Sequence, residues 1–330
     1  MKAAIIGIAG PSLMPEEAAL FRAYPPAGVI LFARNIQDPT SLATLTQDLR
    51  RVLPAGAAIM VDQEGGRVAR LRPPHWRAHP PAGAIGALFA RNPAAGLRAA
   101  WLTGALIGLD CADAGFDLVA APVLDLAVPG AHDVIGDRAY ASDPVTVARL
   151  ARAVAEGLMA GGVIPIGKHA PGHGRARVDS HVSLPRVEAG DLEADLLPFA
   201  ANANLPWFMT AHIVYAAFDP ISPATLSRPV IERVIRGRLG FRGVLVTDDL
   251  AMRALSGTPA DSARAALAAG CDLALYCPGE PAANAAVLAA CPVLAPRAAQ
   301  RMATGRAMAR NRRLPIDAAT LAARRDRLLA

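Results

Sequence analysis

The sequence predicts an α/β fold, a single (β/α)8 barrel of TIM type with extra C-terminal helices, and three observations carry that prediction. Short runs rich in Ile, Val, Leu and Phe alternate with longer alanine-rich stretches of helical character, as repeated βα units do. The runs number eight, which is the barrel number. Polar residues follow several of them directly: Asp62 the third, Lys168 and His169 the fifth, His212 the sixth, Asp248 and Asp249 the seventh. A barrel builds its site from the carboxyl ends of its strands, so these distant positions would converge on one pocket. A doubly wound open sheet would also bind ligands at carboxyl ends, but it would gather fewer strands around the site and is the weaker architecture.

In chain order the strand-like runs cover residues 3–8, 28–33, 57–61, 117–122, 162–167, 207–211, 244–247 and 273–276. Each is short and rich in apolar side chains, as a strand buried on both faces requires. The helical stretches between them cover 40–52, 93–111, 144–160, 189–202, 229–239, 260–269 and 282–290, and two more follow at 296–311 and 318–329. No Ser/Gly linker or low-complexity segment marks a boundary. Residues 1–330 are therefore read as one catalytic barrel domain, with about 296–330 as a C-terminal helical extension.

Composition excludes several classes of protein. The 330 residues are 53% hydrophobic and 19% charged, enough to bury a large core, and a barrel needs roughly 250 residues. The net charge is +6, but residues 297–330 hold nine arginines against Asp317 and Asp326, so that segment carries +7 and the rest of the chain −1. The basicity is local. Its arginines lie among alanines and leucines without interleaved aromatics, which reads as a solvated helix face rather than a nucleic-acid surface. Cys111, Cys271, Cys277 and Cys291 form no CxxC pair or regular framework and read as reduced, buried thiols. Gly7, Gly10 and Pro11 interrupt the apolar N-terminus before it could serve as a signal peptide, and no run reaches the roughly 18 apolar residues of a membrane span. The chain is expected in the cytoplasm, as a monomer without membrane or nucleic-acid partners.

Chemistry concentrates in three motifs. Lys168–His181, KHAPGHGRARVDSH, holds three of the seven histidines, and Pro171, Gly172 and Gly174 exclude a helix, which predicts a shaped loop. His169, His173, Asp179 and His181 could ligate zinc. They could equally be acid–base groups, with Asp179 orienting His181, or simply bond the loop's own backbone. In VTDDL, residues 246–250, adjacent side chains point opposite ways, so Asp248 is expected to face inward and Asp249 to cap a following helix. VDQEGGRVARL, residues 61–71, combines acids, glycines and arginines that could grip sugar hydroxyls, or could form a tight turn with an internal Asp–Arg bridge.

Taken together, LFARN (31–35), VDQEGGRVARL, GDRAY (136–140), KHAPGHG (168–174), DSH (179–181), AHIVY (211–215) and VTDDLAM (246–252) resemble glycoside hydrolase family 3, specifically its single-domain bacterial β-N-acetylhexosaminidases. The match runs in order from about residue 28 to about residue 278. The resemblance implies that Asp248 is the nucleophile, that Asp179 and His181 form the acid/base dyad, and that Asp62, Arg70, Arg138, Lys168 and His169 contact the sugar. It further implies a retaining hydrolysis of terminal β-linked N-acetylglucosamine from cytoplasmic muropeptides (GlcNAc–anhydroMurNAc peptides) with no metal or other cofactor. The alternatives are a β-glucosidase or xylosidase of the same family and a metal-dependent barrel hydrolase using the 169–181 loop. Two positions depart from the family pattern: Ala170 replaces a usual phenylalanine, and Arg175, Ala176 and Arg177 replace a small acidic or threonine-containing tip, a change expected to bear on the leaving group.

Overall fold

The computed structural model describes residues 1–180, 182–188 and 190–330. Eight strands, β1 (Lys2–Gly7), β2 (Pro26–Leu31), β3 (Ala58–Val61), β4 (Leu118–Val119), β5 (Ile164–Ala170), β6 (Trp207–Thr210), β7 (Val244–Asp249) and β8 (Leu273–Tyr276), form a closed barrel. Each is parallel to the next, and β8 pairs with β1 to close it. This is the fold the alternation predicts, and every run contributes a strand.

Alternation along the strands sorts side chains into two layers. Ile5, Ile30, Met60, Leu118, Ile164, Ile166, Trp207, Met209, Val244, Val246, Leu273 and Leu275 form the barrel interior, while Ile6, Val29, Ile59, Val119 and Leu245 pack outward under the helices. The register stacks the interior set, with Ile30 opposite Met60, Met60 opposite Leu118, Leu118 opposite Ile164, and Trp207 opposite Val244. The barrel is filled, not hollow.

The surrounding helices are α1 (Pro15–Ala23), α2 (Pro39–Val52), α3 (Ala82–Arg91), α4 (Pro93–Asp113), α5 (Pro144–Gly161), α6 (Glu193–Ala201), α7 (Pro259–Ala269), α8 (Pro281–Ala290), α9 (Pro296–Arg312) and α10 (Ala318–Leu329), with a π-helical segment at Val230–Arg238. Proline at the first turn and Asp38, Asn92, Asp143 and Thr258 as N-caps start α2, α4, α5 and α7. Helices α1 and α3 were not anticipated. In α3 the weak helix former Gly86 is required, because a Cβ there would lie 1.6 Å from the Tyr140 carbonyl oxygen.

Helix α9 covers the amino-terminal end of the barrel. Its Ala298, Met302 and Ala309 join the interior cluster, and a Cβ on Gly305 would come within 3.2 Å of Trp207 Nε1. Burial of a side chain such as Met302 stabilises by roughly 1.5–3 kcal/mol. Arg301 grips Asp272 just before β8 at 2.6 and 2.9 Å, and Arg306 donates to the Gly56 carbonyl before β3 at 2.7 Å. Helix α10 is held differently. Arg325 donates to His79 Nδ1 at 3.0 Å, and His79 Nε2 lies 3.0 Å from Asp110 of α4, which ties the tail to the long loop after β3.

Candidate active site

The interior rows of five strands run on past their last apolar residue by one inward step, and each step ends on a cavity-lining side chain. After Ile30 comes Phe32, after Met60 Asp62, after Ile166 Lys168, after Val246 Asp248, and after Leu275 Cys277. The cavity at this carboxyl-end rim measures about 370 Å³. Of the residues assigned to the site from sequence, Asp62, Arg70, Arg138, Lys168, His169 and Asp248 line it. Asp179 is half-buried on the loop beside Ser180, which also lines the cavity. His181 lies outside the described residues.

One wall is a charge network. Lys168 Nζ lies 3.1 Å from Asp62 and 2.7 Å from Glu64, and Arg138 binds Glu64 through Nε and Nη2, both at 2.9 Å. Arg70 reaches Asp62 at 3.3 Å and lies over the Phe32 ring, 5.3 Å from its centroid. The internal Asp62–Arg70 bridge thus exists, but both partners face the cavity. Burial would raise the Glu64 carboxyl, yet Lys168 and Arg138 hold it far below the usual carboxylate range. Burial would likewise discharge Lys168, and Asp62 and Glu64 reverse that and keep its ammonium above its ordinary value.

A second wall is built around Asp125, whose side chain is fully buried. It accepts the His173 backbone N–H at 2.6 Å and that of His169 at 3.2 Å, and its other oxygen lies 2.6 Å from His169 Nδ1. Burial opposes ionisation of Asp125, but His169 and His173 hold its pKa low. An ionised carboxylate only accepts, so Nδ1 of His169 carries the proton and donates. His173 is different: burial and the neighbouring His169 push it down to about 4, so its ring is neutral, with Nε2 3.3 Å from Ser180 Oγ.

Asp248 closes the floor. It is 8% exposed, and its Oδ1 accepts the Asp249 N–H at 2.9 Å. Burial would raise its pKa, but His169, His212, that N–H and Lys168 together hold it below the usual range, whereas Asp249 is raised by its own burial and by Asp248. Asp248 is the more readily ionised of the pair. Asp249 does not cap a helix as expected: its carboxylate accepts the N–H groups of Ala251 and Cys277, both at 3.0 Å, and the next helix starts at Pro259 behind a Thr258 cap. His212 is a buried rim residue held by Thr225 Oγ1 at 2.7 Å and the Asp249 carbonyl at 2.9 Å.

One further expectation needs correction. The polar segment is not all loop, since Lys168, His169 and Ala170 extend β5, and Ala170 pairs with Thr210. Arg175 does not line the cavity but pairs with Asp195 of α6. Among the described residues, no group of three or more His, Cys, Asp or Glu is placed to hold a metal ion, with His169 and His173 each engaged as above. Sequence reasoning did not single out Glu64, Asp125 or Arg34, which lines the cavity beside Phe32. Asp125 stands three residues after Pro122, past the end of the fourth run, so the rule that found Asp62 and Asp248, a polar residue directly after a run, does not reach it.

Comparison with known proteins gives concordant matches. The model of the glycosyl hydrolase family 3 N terminal domain matches residues 10–298. A beta-hexosaminidase of Alkalilimnicola ehrlichii is 42% identical over 291 residues, covering 86% of this chain and 82% of its own. Among solved structures, NagZ from Neisseria gonorrhoeae in complex with N-trifluoroacetyl-D-glucosamine superposes with a TM-score of 0.88 at 31% identity, covering 100% of this chain and 98% of that one. The beta-N-acetylhexosaminidase from Beutenbergia cavernae gives a TM-score of 0.77 at 30% identity, covering 98% and 96%.

Proposed function

The chain belongs to glycosyl hydrolase family 3, and from that premise we propose that it is a retaining β-N-acetylhexosaminidase. Its substrates are terminal β-linked N-acetylglucosaminides, and the cellular source is muropeptides released from peptidoglycan and recycled in the cytoplasm. The observation that carries the reading is the pairing of a buried, ionisable Asp248 with the Asp62–Arg70–Lys168–Arg138 network across one cavity. The first supplies a nucleophile, and the second supplies charged donors and acceptors that can grip sugar hydroxyls. The four buried, unpaired thiols support a reducing compartment. Among the described residues no helix is long and apolar enough to cross a membrane.

The reaction proceeds by double displacement. An Asp248 oxygen attacks the anomeric carbon, the glycosidic C–O bond breaks, and the His181 imidazolium gives its proton to the leaving oxygen. Neutral His181 then takes a proton from water, whose oxygen displaces Asp248 from the anomeric carbon with a second inversion. Asp179 orients the imidazole and balances its charge, in place of the second carboxyl of the common two-acid arrangement. Asp62, Arg70, Arg138, Lys168 and His169 hold the ring, and contacts that tighten as it flattens lower the barrier.

The test is turnover of 4-nitrophenyl β-N-acetylglucosaminide by purified protein with a chelator present, against the matching β-glucoside and β-xyloside. Strong preference for the 2-acetamido sugar is expected. Equal turnover of the glucoside or xyloside, or loss of activity to the chelator, refutes the reading.

A further inference from the structure

The LFARN segment, residues 31–35, carries no part of the mechanism above, yet two of its side chains, Phe32 and Arg34, line the cavity. Its last residue fixes the first of these. Asn35 is buried; its Oδ1 accepts the Phe32 N–H at 2.8 Å, and its Nδ2 donates to the Ile8 carbonyl at 3.1 Å and the Gly10 carbonyl at 2.7 Å. Both amide hydrogens and the oxygen are thus spent on tying Phe32 to the chain just past β1. The Phe32 ring also packs against the barrel-interior cluster. Two guanidinium groups stand over that ring, with Cζ of Arg34 5.0 Å and Cζ of Arg70 5.3 Å from its centroid. They are not held alike. Arg34 donates from Nε to the Ile8 carbonyl at 3.0 Å and from Nη2 to the Cys277 carbonyl, so it is anchored without the ring. Among the described residues the Arg70 guanidinium donates only to Asp62, at 3.3 Å, against about 2.7–2.9 Å for a strong charge-assisted bond. Its Nε is buried without a hydrogen-bond partner among those residues.

The backbone at Arg70 is pinned separately. Gln63 Oε1 accepts the N–H groups of Arg70 at 2.7 Å and Leu71 at 3.0 Å, and Gln63 Nε2 donates to the Leu71 carbonyl at 2.9 Å. These bonds leave open the direction of the guanidinium, and the fixed ring beside it presents a negative face to that cation. We infer that Phe32, held by Asn35, is a positioning residue that keeps the Arg70 guanidinium against Asp62 in the cavity wall. It acts through the charge distribution of its ring, not by filling space. The assignment rests on the reading proposed above, in which Arg70 binds the sugar.

The test replaces Phe32 by phenylalanines bearing one, two and three ring fluorines, which drain charge from the ring face with little change in size. On 4-nitrophenyl β-N-acetylglucosaminide, kcat/KM is expected to fall stepwise with fluorine count. Phe32→Leu, which removes the ring, should lose about 2- to 30-fold, the span of an arginine–aromatic contact. In an Arg70→Ala background the fluorine series should be flat, because the cation it acts on is gone. Affinity for N-acetylglucosamine, measured by calorimetry, needs no turnover and should weaken in the same order. Thermal melts accompany each protein, and should Phe32→Leu fail to fold, the nearly isosteric fluorine series still decides. Unchanged kcat/KM and affinity across that series mean that the ring only fills space and overturn the inference. So does a slope that persists without Arg70, which would place the effect on Arg34. Wild-type protein that neither turns over the glycoside nor binds the sugar refutes the functional reading itself, whereas a flat series on an active enzyme refutes only the role of Phe32.

Discussion

Replacing Asp125 by asparagine tests how the cavity-facing histidine is held. The wild-type carboxylate accepts two backbone N–H groups through one oxygen and faces His169 Nδ1 with the other at 2.6 Å. Asparagine keeps an oxygen for the two N–H groups but turns its amide N–H toward the ring. His169 must then accept at Nδ1 and carry its proton on Nε2, toward the cavity. A hydrogen bond to a charged group contributes about 1.5–3 kcal/mol, so kcat/KM should fall by roughly 10- to 150-fold if the loss is felt in the transition state. The two backbone bonds survive and the third is reversed to a neutral one, so the melting temperature should move by only a few degrees. The assays are steady-state kinetics on 4-nitrophenyl β-N-acetylglucosaminide, melting curves, and nitrogen chemical shifts of the ring to read the tautomer. A kcat/KM within about threefold of wild type despite a switched tautomer would refute the reasoning.

Asp248→Asn should abolish turnover in a folded protein, and a slow fluoro-glycoside should form a covalent adduct on wild-type Asp248; a label on Asp249 would reverse the assignment. Asp62→Ala and Arg70→Ala should lose specificity constant, and a large drop in melting temperature with unchanged kinetics would mean that their bridge is only structural. His181→Ala should cost far more on a disaccharide than on a dinitrophenyl glycoside, with Asp179→Ala weaker in the same direction and azide trapped as the β-glycosyl azide; uniform loss restored by zinc would mark a metal ligand instead. His173 sets a pH dependence. Its folded pKa of about 4 lies below the 6.5 of the free imidazole, so the unfolded chain binds the extra proton between these values. Stability is unaffected by this group above about pH 6.5 and falls as pH drops toward 4, by about 3 kcal/mol in all. Urea unfolding of wild type and His173→Asn at both ends should show the variant losing less, and equal losses would contradict the assignment.

What the sequence made legible follows from which rule each residue obeys locally. Asp62, Lys168 and Asp248 each end an apolar run, so strand alternation and barrel architecture suffice to bring them together. Glu64 and Asp125 were invisible as site residues because their importance lies in partners 74 and 44 positions away, Arg138 and His169. A buried carboxylate looks like any other acid until its counter-charge is in view. Asp249 was misjudged because a helix start was assumed where the chain instead makes an irregular turn to Thr258, and its carboxylate ties neighbouring strand ends through Cys277. Arg175 shows the same limit from the other side: a charge on a loop tip does not reveal which wall it will face.

The filled barrel, with α9 across its far end, leaves the cavity to open at the carboxyl-end rim. For the proposed reaction that sets an order. A sugar placed against Asp248 would stand deeper than the leaving portion, which would depart first. Water would then enter along the path just vacated, and the sugar would leave last. A leaving portion still held at the rim would delay both the entry of water and the departure of the sugar.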